Sequence, residues 1–263
     1  MRTKINLNQD WIFSIKEGSE EHVNLPHSWN GVDGQDGGND YLRTITTYTK
    51  HFKKPEMTDS QTALLQFDAV NSLADVYLNG EHVAHHEGGY SRFVCEVGPL
   101  LKEDNELVVK VDNKAYPTVY PDAADFTFYG GIYRDVDLFV INKKHFEMHE
   151  DFSPELKCTP TVKGTDGLLK VDCKANSDDK IVLELLDKEG KVVASLKANE
   201  ENTISNVHLW NGLDDPYLYT VKGTLRDKDT DEVLDEVSAR IGFRTFRVDP
   251  KLGFILNGKK YPL

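Results

Sequence analysis

Helical periodicity is missing from this 263-residue chain: no stretch sustains an apolar repeat of 3.6 residues, which leaves no helical layer to build a fold from. Long apolar runs are absent too, none approaching the roughly 20 residues of a membrane-spanning helix. The opening MRTKINLNQDWIFS has basic residues but no apolar block of signal-peptide length, so the expected location is cytoplasmic. Cysteine is scarce, and three is an odd number that argues against a disulfide framework. Positive charge is short, with 31 Lys and Arg against 44 Asp and Glu and a net charge of -13. That balance argues against nucleic acid as a partner, because a phosphate-binding surface needs clustered cations. A GxGxxG loop, a Walker loop, a nucleophile elbow and a CxxC pair are all lacking.

What the chain does have is short period-2 alternation bounded by Gly, Asn, Asp and Pro. TALLQFDAV, ADVYLNGEHVA, NELVVKVDN, RDVDLFVI, GLLKVDCKA, KIVLELLDKEGKVVASL, YLYTVKGTL and DEVSARIGF all read as strands. Asn79-Gly80 is a type I′ hairpin signal, and a second turn is predicted at Lys188 to Gly190. The turn GTDG, Gly164 to Gly167, would set Cys158 opposite Cys173, although free thiols are the expectation for all three cysteines. The fold class is all-β, in sandwiches. A break near Asn142 to Pro154 separates an aromatic, Gly-rich first half from a second with fewer rings and an immunoglobulin-like spacing of strands and turns.

One segment stands out. Asp125 to Val140 reads DFTFYGGIYRDVDLFV: from Tyr133 it alternates as a strand, while its first nine residues, DFTFYGGIY, hold one carboxylate, four rings and the pair Gly130-Gly131. The final GFILNGKKYPL reads as a hairpin leading toward a further strand, so the chain is expected to be a piece of something longer.

Taken in order, LNQDWIFS, NLPHSWN, VYLNGEHVAHHEGGYSRF, NELVVKVDN, DFTFYGGIYRDV, LWNGLDDPYLYTV and IGFRTFRVD with GFILNGKKYPL resemble the N-terminal part of a glycoside hydrolase family 2 enzyme, β-galactosidases by pattern. The resemblance implies a sugar-binding jelly roll over 1–142, an immunoglobulin-like sandwich over 143–243, and in 244–263 the lead-in to a (β/α)₈ barrel. That barrel is the partner the resemblance implies. It would bear the two glutamates that hydrolyse a β-galactoside or, on the alternative reading, a β-glucuronide or β-mannoside, since a retaining glycosidase needs two carboxyl groups roughly 5 to 5.5 Å apart. A stand-alone carbohydrate-binding module is a further alternative. The chain by itself is expected to be inactive, and the surface that would meet a barrel predicts self-association, such as a homo-oligomer, or poor solubility.

The resemblance also implies a role for Asp125, whose carboxylate would bind sugar hydroxyls in the innermost subsite, in some members beside a sodium ion. No cofactor is expected in this chain; sodium or magnesium belongs to the full-length parent. Arg43 and Asn39 are candidates for the rim, although the sequence around them departs from the family pattern. Gly130 and Gly131 would serve positive φ or close backbone approach, and Phe126, Phe128 and Tyr129 either sugar stacking or burial. Trp11, Trp29 and Trp210 read as core anchors. His82, His85 and His86 invite a metal, but their spacing supplies no Cys or acidic partner, and no metal is expected there.

Overall fold

The computed structural model describes residues 2–16, 18–33, 42–120, 127–148 and 154–262. Asn39, Asp125 and Phe126 lie outside the described residues. Contacts divide the chain into two compact units, Arg2–Lys143 and Lys144–Leu263, the second also taking in Met1.

The first unit is a sandwich of ten antiparallel strands: β1 (Thr3–Asn6), β2 (Trp11–Ser14), β3 (Glu20–Val23), β4 (Ile45–Lys53), β5 (Gln61–Phe67), β6 (Leu73–Leu78), β7 (Glu81–Glu87), β8 (Phe93–Glu96), β9 (Asp104–Asp112) and β10 (Val136–Asn142). One sheet runs β3-β2-β4-β9-β6-β7 and the other β1-β10-β5-β8. Between them Trp11, Tyr48, Leu65, Phe67, Val76, Val109 and Leu138 are fully enclosed, each on the inward phase of an alternating strand. Asn79 and Gly80, at φ +53° and +88°, make the β6–β7 hairpin as the sequence predicts.

The second unit has β11 (Lys157–Lys163), β12 (Asp166–Asp172), β13 (Lys180–Leu186), β14 (Val192–Leu196), β15 (Glu201–Ile204), β16 (Tyr219–Arg226), β17 (Val233–Ile241), β18 (Phe246–Asp249), β19 (Gly253–Leu256) and β20 (Lys259–Lys260). Sheets β11-β12-β15 and β14-β13-β16-β17 enclose Leu169, Val171, Leu183, Leu185, Val221, Leu225 and Phe243. The strands β18-β19-β20 form a separate small sheet. Its Asn257 donates to the carbonyl of Trp210 (2.9 Å) and to Asn211 Oδ1 (2.7 Å), and Tyr261 accepts from the Leu213 amide (2.9 Å).

Two details of register differ from expectation. β10 begins at Val136 and not at Tyr133; just before it the Asp135 carboxylate accepts from Asn8 Nδ2 at 2.8 Å while its carbonyl accepts from the Asp68 amide at 3.0 Å. The β11–β12 hairpin pairs Lys163 with Asp166, so its turn centres one residue earlier than a turn centred on Thr165-Asp166 would. Cys158 therefore faces Val171, and Cys173 falls on the diagonal, beyond the usual reach of a disulfide.

All three cysteines are free, and burial pushes their thiols up, Cys95 to about 12 and Cys158 and Cys173 to about 11. Folded protein at pH 7 should accordingly react with a thiol-specific disulfide reagent far more slowly than unfolded protein, and its non-reduced mass should report three thiols. A stoichiometric Cys158–Cys173 bond in that mass would refute the register.

Candidate functional site

The stretch from Thr127 to Ile132 is irregular backbone held by individual hydrogen bonds. Its four carbonyls from Phe128 to Gly131 each accept a hydrogen bond: from Asn113 Nδ2 (2.9 Å), Asn71 Nδ2 (2.6 Å), Ser28 Oγ (2.8 Å) and the Asn71 amide (3.0 Å) in turn. The Gly130 amide donates to Asn30 Oδ1 (2.8 Å), which also accepts from Asn113 Nδ2 (3.2 Å). Asn30 and Asn113 are buried, so this polar network is shielded from water that would otherwise compete for its groups.

Both glycines are required, each for its own reason. A Cβ on Gly130 would lie 2.1 Å from the Trp29 ring, so the backbone packs flat on that indole; Gly131 sits at φ +136°, where a Cβ would also meet the His27 carbonyl at 2.3 Å. Beneath them Phe13, Trp29, His27 and Tyr48 form a ring cluster, with Phe13 and Trp29 stacked at 6.1 Å between centroids. His27 Nδ1 and the Tyr48 hydroxyl share a hydrogen bond of 2.8 Å.

Above this platform opens a cleft of about 330 Å³ lined by Ser28, Asn71, Tyr90, Thr127, Tyr129 and Tyr133. Tyr90 and Tyr129 are 63% and 52% exposed, which makes them rings at a rim and not core residues. Tyr133 points its hydroxyl to the Gly89 carbonyl and so presents ring to the cleft. The cleft is therefore a concave aromatic surface on a rigid floor, a shape suited to a ligand with a flat apolar face and polar edges.

Of the residues singled out in the sequence, Arg43 is brought to this loop, its guanidinium 4.0 Å from the centre of the Phe128 ring. Phe128 is half-buried, so Tyr129 is the ring of that run left exposed among the described residues. Trp11 and Trp29 are buried core anchors, as read, while Trp210 is half-buried with Arg244 over its ring at 5.1 Å. Asn30, Asn71, Asn113 and Ser28, which hold the loop, are not among the candidates drawn from the sequence. Asn30 and Asn113 close the motifs NLPHSWN and NELVVKVDN, but nothing in spacing or periodicity marks Asn71.

Neither the sodium nor the magnesium implied for the parent finds a matching set of oxygens in the described wall. Rings dominate it, and Ser28 and Asn71 are spent on the backbone. Elsewhere Asp68, Asp135 and Asp137 cluster within 4.8 Å, but protein donors meet each of them. Gln66, Asn8 and Asn6 donate amide hydrogens, and the Lys4 ammonium stands 2.8 Å from Asp137 Oδ2. A cation there would have to displace that ammonium.

Family models match in order: "Glycosyl hydrolases family 2, sugar binding domain" over 39–142 and "Glycosyl hydrolases family 2" over 153–244. A β-glucuronidase of Bacteroides fragilis is 35% identical across the whole chain, which covers 41% of that protein. A β-galactosidase of Thermoanaerobacter pseudethanolicus is 30% identical, again across the whole chain, which covers 38% of it. Among solved structures, an FMN-binding β-glucuronidase from Facaelibacterium prausnitzii L2-6 superposes with a TM-score of 0.91 at 35% identity, with 100% of this chain and 42% of that one covered. The chain thus spans about two-fifths of the length of these relatives.

Two outcomes test the platform. Asn113→Ala should orphan the Phe128 carbonyl and the Thr44 amide, which donates to Asn113 Oδ1 at 2.8 Å, and lower stability to denaturant by about 1–3 kcal/mol for each group left unpaired. A stability unchanged within error would show that the network is not holding the loop. Burial lowers the His27 pKa against the opposing charge of Glu21, so unfolding takes up a proton. Its contribution is complete above about pH 6.5, the unfolded value, and is lost as pH falls through the lowered folded value. Melting temperature should fall below that pH more steeply for the wild type than for His27→Gln; parallel curves would exclude His27 as the titrating group.

Proposed function

The chain belongs to glycosyl hydrolase family 2, and on that footing we propose that it is the pocket-lending, barrel-supporting portion of a retaining β-glycosidase acting on terminal β-D-glycosides. The observation that carries this reading is the consecutive match of two family models in the order their relatives share. Between the sugars, a β-D-glucuronide is favoured over a β-D-galactoside, since the β-glucuronidase relative is 35% identical and the β-galactosidase 30%.

On this reading the catalytic pair of carboxyl groups lies in the remainder of the full-length protein, about 5 to 5.5 Å apart as retention requires. This chain contributes binding. Asp125 precedes the cleft-lining Thr127 by two residues, and its carboxylate would accept hydrogen bonds from sugar hydroxyls, which are stronger to a charged acceptor. The clamped carbonyls support that role physically: a residue that positions substrate has to be held by its surroundings, and irregular backbone is held only by such bonds. Tyr129 and Tyr90 offer rings toward which a sugar or its leaving group can turn an apolar face. Arg43 belongs to the rim through its contact with Phe128, and Asn39 is proposed there on sequence position alone.

Full-length protein should hydrolyse 4-nitrophenyl β-D-glucuronide with a higher kcat/KM than the β-D-galactoside, and the isolated 263-residue chain should turn over neither. Asp125→Asn in the full-length protein should lower kcat/KM by about tenfold or more, the value of a hydrogen bond to a charged group. Hydrolysis by the isolated chain, or a full-length protein inactive on both substrates, would defeat the proposal; tight sugar binding by the isolated chain would favour a stand-alone module.

A further inference from the structure

On the outer face of the six-stranded sheet, a β-bulge gathers residues that the sequence had scattered. β6 and β7 pair with Leu78 opposite Glu81 and Tyr77 opposite His82, but beyond the bulge Val76 faces Ala84 and Asp75 faces His85, so Val83 is the extra residue. In an unbulged ladder from the same turn, Asp75 would face Ala84 and His85 would point to the inner side. The insertion shifts the phase by one. His82, three residues from His85 and otherwise on the opposite face, now shares its face.

Both imidazoles converge on one carboxylate oxygen. His82 Nε2 lies 3.1 Å and His85 Nδ1 2.8 Å from Asp75 Oδ1. Behind His85, its other nitrogen Nε2 reaches Glu87 Oε1 at 3.4 Å. His86, one residue on, turns to the other side, where it stacks on Phe93 at 4.3 Å. The acidic partners whose lack spoke against a metal at these histidines are thus supplied by the fold, Asp75 from the neighbouring strand and Glu87 from the same one.

We propose that Asp75, His82 and His85 form a surface site for a divalent transition-metal ion of the zinc or nickel class. Imidazole and carboxylate are ligands that such ions take. Metal–ligand bonds of about 2.0–2.2 Å put neighbouring ligand atoms about 3 Å apart, the separation each imidazole nitrogen has from Asp75 Oδ1; the two nitrogens themselves flank that oxygen farther apart and have to close on the ion. The side chains of all three residues are partly exposed, so the imidazoles can swing inward around an ion and water can complete its shell. Glu87 acts behind the site: a carboxylate on the far nitrogen of a ligating histidine fixes its ring and tautomer. Around the ligands stand Glu87, bonded to His85, and Lys110, opposite Asp75 on β9 with its ammonium over the Tyr77 ring at 5.2 Å; farther along β9 the same face carries Asp112 and Glu106.

Binding replaces protons. His85 has a carboxylate at each nitrogen, and a ligating nitrogen must give up its proton. The ion takes the Nδ1 lone pair, and the proton that filled it leaves to solvent. Affinity should therefore rise with pH through the histidine range.

Calorimetric titration of the 263-residue chain with zinc chloride, and separately with nickel chloride, tests the site. One ion per chain should bind with proton release, and His82→Ala, His85→Ala and Asp75→Asn should each weaken binding by at least about tenfold. His208→Ala, at an imidazole paired with Asp215 in the second unit, should leave binding unchanged. Deleting Val83 keeps every ligand but removes the bulge, and should abolish binding while the chain still melts cooperatively. Equal affinity in wild type and the three ligand variants, binding lost with His208→Ala, or no heat at millimolar ion would each overturn the assignment.

Discussion

Four consecutive peptide carbonyls, from Phe128 to Gly131, depend on donors that come from three other parts of the chain. Irregular backbone cannot satisfy itself as a strand ladder does, so each buried polar group needs an individual partner or costs free energy. Asn113 at the end of β9, Asn71 ahead of β6 and Ser28 after β3 supply them. The aromatic cleft rests on that floor, and so does the use of glycine where the backbone lies against Trp29 and the His27 carbonyl. The clamped loop and the floor of the cleft are the same set of hydrogen bonds.

The outer face of the same sandwich shows a different use of irregularity. Sheets alternate with a period of two, and one inserted residue exchanges inside for outside along the rest of the strand. At Val83 that exchange puts two imidazoles on one carboxylate oxygen. Edge strands such as β7 tolerate bulges because one side has no neighbour to misalign. In the second unit, two turns are fixed by single carboxylates. Asp187 accepts from the Glu189 and Lys191 amides, and Asp227 from those of Asp229 and Thr230, the backbone bonds that hold the Asp227 carboxyl down at about 2.

Much of this was legible in the residues. Alternation identified the strands because a half-buried sheet demands it, and Asn79-Gly80 identified a turn because few residues accept positive φ. Motif order carried the family and, with it, the expectation of two sandwiches. Alternation and symmetry of letters extend past the paired backbone in two places. Tyr133 to Asp135 alternate on paper, yet the strand starts at Val136, and GTDG is symmetric in letters while the hairpin turns one residue earlier.

Sequence by itself determined which segments are extended, where the chain changes character and which family it belongs to, since these follow from local pattern and motif order. Tertiary structure alone decided which side chains meet. Asn113 reaches Phe128 across 15 residues, Ser28 reaches Gly130 across 102 and Asn71 reaches Tyr129 across 58, and no local period encodes such distances. The same holds for Asp75, His82 and His85, whose meeting depends on a register shift of one residue. Register is a property of the paired strands and their packing against the core, so neither strand states it alone.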